Sequence, residues 1–68
     1  MTAKMVRVFG TPAKDGTFLD CITDADNIND VLHMGLAKRP SIVDAVAAGV
    51  STAKSKGWIV VAPSRAAG

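Results

Sequence analysis

The chain has 68 residues, 49% of them hydrophobic, and its eight Lys and Arg against six acidic residues give a net charge of +2. That length admits one domain with a small core, and a single cysteine, Cys21, with a single histidine, His33, excludes an internal disulfide framework and a zinc ligand set. No run approaches the roughly 20 apolar residues of a membrane span, and "MTAKMVRVFG" holds no apolar stretch of signal-peptide length, so the chain reads as a soluble protein not exported by a signal peptide.

The first predicted element is a β-hairpin. "KMVRVF" (4–9) alternates Val6 and Val8 on one face with Met5, Arg7 and Phe9 on the other, and "TFLDCIT" (17–23) sets Phe18, Asp20 and Ile22 opposite Thr17, Leu19, Cys21 and Thr23. Between them, "GTPAKDG" carries Asp15-Gly16, a pair suited to a type I′ turn because both central residues need positive φ.

"TDADNINDVLHMGLAK" then changes period. Asp26 or Asn27 can cap a first turn, and Ile28, Val31, Leu32 and Leu36 recur at helical spacing, which predicts a short helix over about 27–36 that ends before Pro40. A second helix is predicted over 41–56. Ser41 and Asp44 make a capping-box-like start, and Val43, Val46, Ala47, Val50 and Ala53 or Lys54 trace a stripe. Lys54 and Lys56 suit the carbonyl end, Gly57 suits the left-handed C′ position, and Trp58 falls where it can pack back on Ala53. "WIVVA" (58–62), closed by Pro63, reads as a strand buried on both faces, and "PSRAAG" (63–68) as a mobile tail. The order β-β-α-α-β predicts a single α+β domain over 1–62, a three-stranded sheet with two helices packed on one face.

The chemical motifs fall away one by one. "GTPAKDGT" lacks the Gly-Lys-Ser/Thr ending of a phosphate loop and leads into a strand. "DADNINDV" alternates Asp24 and Asp26 like calcium ligands but fails at Ile28, at Asn29 and at Gly35, so a helix start rich in acids fits it better. His33 has no partner at triad or ligand spacing and reads as a surface or interface residue. Cys21 has no local base and reads as a small hydrophobe. No catalytic, metal or cofactor-binding residue emerges, and the expectation is a protein that is not an enzyme.

"DAVAAGVS", with Ala45 four residues before Gly49 and Val50 after it, resembles the helix-turn-helix of bacterial repressors, in which a small residue sits at the helix crossing and a glycine in the turn. That resemblance implies a DNA-binding role, but it departs from the pattern at Ser55, where an apolar anchor belongs, and Gly57 leaves the second helix barely a turn and a half. One continuous helix, with Gly49 as a packing glycine, is the preferred reading.

Two function classes remain. The first is a non-enzymatic interaction module, self-associating or docking as an accessory subunit of a larger assembly, for example one that decorates or cements a virus capsid. It would be cytoplasmic or carried in a viral particle, with Met34, Trp58 and Arg65 as contact residues. The alternative is a nucleic-acid binder using Lys38, Arg39, Lys54 and Lys56, opposed by the five aspartates between residues 15 and 30.

Overall fold

The computed structural model describes residues 3–61. They form an α+β unit of strands β1 (Met5–Pro12), β2 (Phe18–Asp24) and β3 (Val31–Met34), helix α1 (Ile42–Ser55) and strand β4 (Ile59–Val60). The strands make one mixed sheet in the order β3-β2-β1-β4. β1 pairs antiparallel with β2 and parallel with β4, and β2 pairs antiparallel with β3.

The hairpin forms where expected, with its first strand reaching Pro12 rather than Phe9. Its turn is shifted by one residue. Gly16 N–H donates to Ala13 O at 3.3 Å, which makes Lys14 and Asp15 the central pair, and Gly16 follows them with φ +83. This is a longer loop with a left-handed glycine in place of the two-residue turn. The Asp15 carboxylate accepts from the Thr17 N–H at 3.2 Å and fixes the loop's exit.

The helix expected over 27–36 is not formed; that segment is a turn followed by β3. Asp24 Oδ1 accepts from Asp26 N–H at 2.8 Å and Asn27 Oδ1 from Asn29 N–H at 3.1 Å. Asp and Asn side chains that bond the backbone two residues on compete with a helical turn, and here they reverse the chain instead of capping a helix. The strand that follows pairs Cys21 with Met34, Ile22 with His33 and Thr23 with Val31, so Leu32 is an extra residue in a bulge. Of the apolar set that mimicked a helical stripe, only Leu32 packs on the core, while Ile28, Val31 and Leu36 are exposed. A single bridge, Arg39 with Phe18, continues the pairing along β2 just before Pro40.

Helix α1 runs unbroken through Gly49, which removes the helix-turn-helix arrangement. Ser41 Oγ accepts from Asp44 N–H at 3.2 Å at its start. At its end Gly57, φ +77, donates to Lys54 O at 3.0 Å and Trp58 N–H to Ala53 O at 2.9 Å, the paired bonds of a Schellman ending. The buried stripe is Ala45, Gly49 and Ala53, flanked by Val46 and Val50; Val43 and Ala47, expected inside, face out. Small residues four apart let the helix backbone sit close to the sheet. A Cβ added at Gly49 would overlap Val8 Cγ1, so Gly49 is a packing glycine.

The last strand differs from its expected form. It pairs over only two residues, Met5 with Ile59 and Val6 with Val60, and lies at the sheet edge. It is not buried on both faces: Val60 packs on the core, whereas Ile59 is 50% exposed. The core proper is Val6, Val8, Ile22 and Ala53, each fully buried between sheet and helix. The expected tail, 63–68, lies outside the described residues.

Candidate interaction surface

Strand alternation gives this sheet two unlike faces. One carries Val6, Val8, Gly10, Asp20, Ile22 and Val60 and is covered by α1, whose Ile42, Ala45 and Gly49 come down on it. The other has no helix among the described residues. The printed register sets its side chains in cross-strand rows. Ile59 lies beside Met5, Arg7 beside Thr23 and Val31, Phe9 beside Cys21 and Met34, and Thr11 beside Leu19. At the margins Met5 and Val31 are each 51% exposed, Ile59 50% and Met34 40%, while Cys21 and Thr23 on β2 lie low and buried between their neighbours.

Arg7 is the one charged side chain in those rows, and it is held down, with Nε donating to Ala25 O at 3.0 Å. Cys21 sits beneath this surface; burial pushes its thiol up, opposed by a hydrogen bond with Thr11, which suits an inert packing residue rather than a nucleophile. The charged groups cluster instead around the rim. Lys4 Nζ binds Asp24 at 3.0 Å and Lys38 Nζ binds Asp15 at 2.8 Å. The hydrogen bond from Lys4, with the Asp26 N–H, holds the Asp24 carboxyl below its ordinary range, and Lys38 with Thr17 does the same to Asp15 more strongly.

The residues singled out in the sequence do not converge. Met34 belongs to the open face, whereas Trp58 lies on the covered side against the core, with Lys56 Nζ 5.5 Å from its ring centroid. Arg65 lies outside the described residues. Lys38 and Arg39 precede the start of α1, while Lys54 and Lys56 lie at its far end, a helix length of about 20 Å away at 1.5 Å per residue. Lys38 is already paired with Asp15. These four cations make no single patch.

Two features were missed. The open face itself was written in the alternation of Met5, Arg7 and Phe9 with Leu19, Cys21 and Thr23, and helices packed on one face leave the other bare, but the contact residues expected from the sequence were not chosen from it. The second is Asp20, in line with Ile22 and only 4% exposed, its Oδ2 3.7 Å from His33 Nε2. A Cβ on Gly35 would run into the Asp20 carboxylate, and the Gly35 N–H donates to Asp20 O at 2.7 Å, so the chain after β3 closes directly over this acid. The two side chains lie together on the covered side of β2 and β3, where the His33 side chain stays 31% exposed.

Among the described residues no group of three or more His, Cys, Asp or Glu is placed to hold a metal ion, and no helix is long and apolar enough to cross a membrane. No protein-family model, curated protein or solved structure matches the chain.

Proposed function

We propose that this protein is a non-enzymatic interaction module, a small accessory subunit that self-associates or docks in a larger assembly, with the open sheet face as its contact surface. A subunit that decorates or cements a symmetric shell such as a virus capsid is one concrete form of it, and such a protein would be found in the cytoplasm or in the particle. The observation that carries this reading is the row structure of the open face, where Met5, Phe9, Leu19, Val31, Met34 and Ile59 stand around one tethered arginine. A contiguous apolar surface on so small a domain marks an interaction site. The four-residue core on the other face supports the same view, because a domain of this size gains much of its stability from whatever covers its remaining apolar surface.

The test is binding of an environment-sensitive apolar fluorophore to the dilute protein. Enhanced emission that is lost in the doubly substituted Met34→Lys/Ile59→Lys protein is expected; a thermally stable protein that gives no enhancement contradicts the reading. The nucleic-acid alternative draws less support, since Lys38, Arg39, Lys54 and Lys56 are split between the two ends of α1. Its check is a salt titration with random duplex: a basic patch binds tightly at about 50 mM salt and weakens steeply above it.

A further inference from the structure

We infer that Asp15-Gly16 is a site of spontaneous isoaspartate formation that the folded loop holds closed, and that Lys38 is the residue that guards it. The inference goes beyond the interaction-module reading and does not depend on it.

The chemistry needs only the chain and water. The Gly16 backbone nitrogen attacks Asp15 Cγ, a C–N bond closes a five-membered succinimide, and the carboxyl OH departs with the amide proton as water. A second water then opens the ring at one of its two carbonyls. One opening restores aspartate; the other gives isoaspartate, whose backbone runs through Cγ and is longer by one carbon. The attack needs a neutral carboxyl, because an ionised one has no OH to release, and a nitrogen that no side chain shields. Glycine supplies that nitrogen. Asp15 and Gly16 are both exposed, and a Cβ added at Gly16 would meet nothing within 4 Å, so neighbours screen neither the attacking atom nor the water.

What opposes closure is the set of bonds around the two groups that must react. Asp15 Oδ2 accepts from Lys38 Nζ at 2.8 Å, and Oδ1 accepts from the Thr17 N–H at 3.2 Å and from the Thr17 hydroxyl. Together they hold the carboxyl well below the usual carboxylate range, which makes its neutral form scarcer than in an open chain. The Gly16 N–H is engaged with Ala13 O at 3.3 Å, and the Ala13 N–H donates to Thr17 O at 2.8 Å. The loop therefore cannot swing the nitrogen onto Cγ without breaking bonds at its own base.

Of these contacts, Lys38 is the one that only the fold can supply. Ala13 and Thr17 are near neighbours of Asp15 in the chain, whereas Lys38 is 23 residues away. It reaches the loop because the adjacent Arg39 exchanges both backbone bonds with Phe18, donating to its O at 2.7 Å and accepting from its N–H at 2.8 Å. The pair is exposed, so its share of the protection is modest.

The test is ageing of the full chain at neutral pH, with isoaspartate at position 15 counted by enzymatic methyl transfer and located by fragmentation mass spectrometry. The parent accumulates it more slowly than the same chain unfolded in urea. Lys38→Ala, with the parent's circular dichroism spectrum, ages roughly two- to fivefold faster than the parent, whereas Lys38→Arg keeps the charge and the parent's rate. Added salt, which screens the pair, speeds the parent and leaves Lys38→Ala where it was; this arm probes the guard with no substitution in the parent. A Lys38→Ala protein that ages at the parent's rate, or a parent indifferent to salt, overturns the guard. A folded parent that ages as fast as the unfolded chain overturns the whole inference.

Discussion

The two faces of the sheet come from the same residues taken alternately, yet they have opposite fates. On the covered face the strands offer Val6, Val8 and Ile22, and α1 meets them with Ala45, Gly49 and Ala53, so that backbone approaches side chain without a gap. On the open face the side chains are on average larger, and among the described residues it is their neighbours in the sheet that shield them. The difference teaches that apolar content does not make a core by itself. What closes a face is a second layer whose surface fits it, and the described residues supply one helix with one such stripe.

Substitutions that tell the faces apart are the sharpest way to break that comparison. Ile22→Ala, at a fully buried site, should destabilise the monomer by about 3 kcal/mol. Met34→Ala on the open face should cost the dilute monomer under about 1 kcal/mol. Urea unfolding of the two variants, read by Trp58 fluorescence, checks this, and similar losses would mean that the open face is also closed.

Gly49→Ala tests the fit of the second layer. Alanine favours a helix interior over glycine by about 1 kcal/mol, but here its methyl group overlaps Val8 Cγ1. Overpacking of about 1 to 3 kcal/mol should win. The double variant Gly49→Ala/Val8→Ala should lose less than the two single losses combined, and a double-mutant cycle measures that coupling. Additivity would show that helix and strand do not touch at this point.

Smaller again is the cap. Ser41→Ala should cost about 1 kcal/mol, because the Asp44 N–H loses its acceptor at the helix start. Thermal melting followed at a helical band reads this loss, and Ser41→Asp should restore it.

The smallest effects lie at the rim. Asp15 and Asp24 have carboxyls held below their ordinary range by Lys38 and Lys4, so both titrate lower in the folded than in the unfolded chain. The sign follows from linkage. Their contribution is fully present above the unfolded value near pH 4 and is lost as the pH falls through the folded values. The two pairs are solvent-exposed and screened, so the acid limb is shallow. Asp15→Asn and Asp24→Asn should flatten it further in melts taken below about pH 4.

The elements legible in the sequence are those whose signals act within a few residues. The Ser41 cap, the Gly57 ending with Trp58 turned back on Ala53, the alternation of Val6 and Val8 and the glycine of the hairpin loop all rest on bonds between near neighbours. The segment 27–36 was misread for the opposite reason. Its helical spacing is genuine, but Asp24 and Asn27 close local turns, and β2 offers Val31–Met34 a hydrogen-bonding edge that outweighs a short helix with Gly35 near its end. Of the candidate contact residues, Met34 was found for its exposure, though on a helix that does not form. Trp58, read both as packing back on Ala53 and as a contact residue, packs against the core on the covered side and is half-buried.

The sequence by itself therefore determined the hairpin, the capped helix and the division of each long strand into two faces, because turn, cap and alternation are decided by neighbouring residues. Only the tertiary structure decided that β3 is a strand, that β4 joins β1 in parallel at the edge, and that α1 covers the Val6–Ile22 face while no described helix covers the face that carries Phe9 and Met34. Those outcomes depend on pairings between residues far apart in the chain and on the close fit of Gly49 over Val8, where the free energy of a contact belongs to both partners and can be read from neither alone.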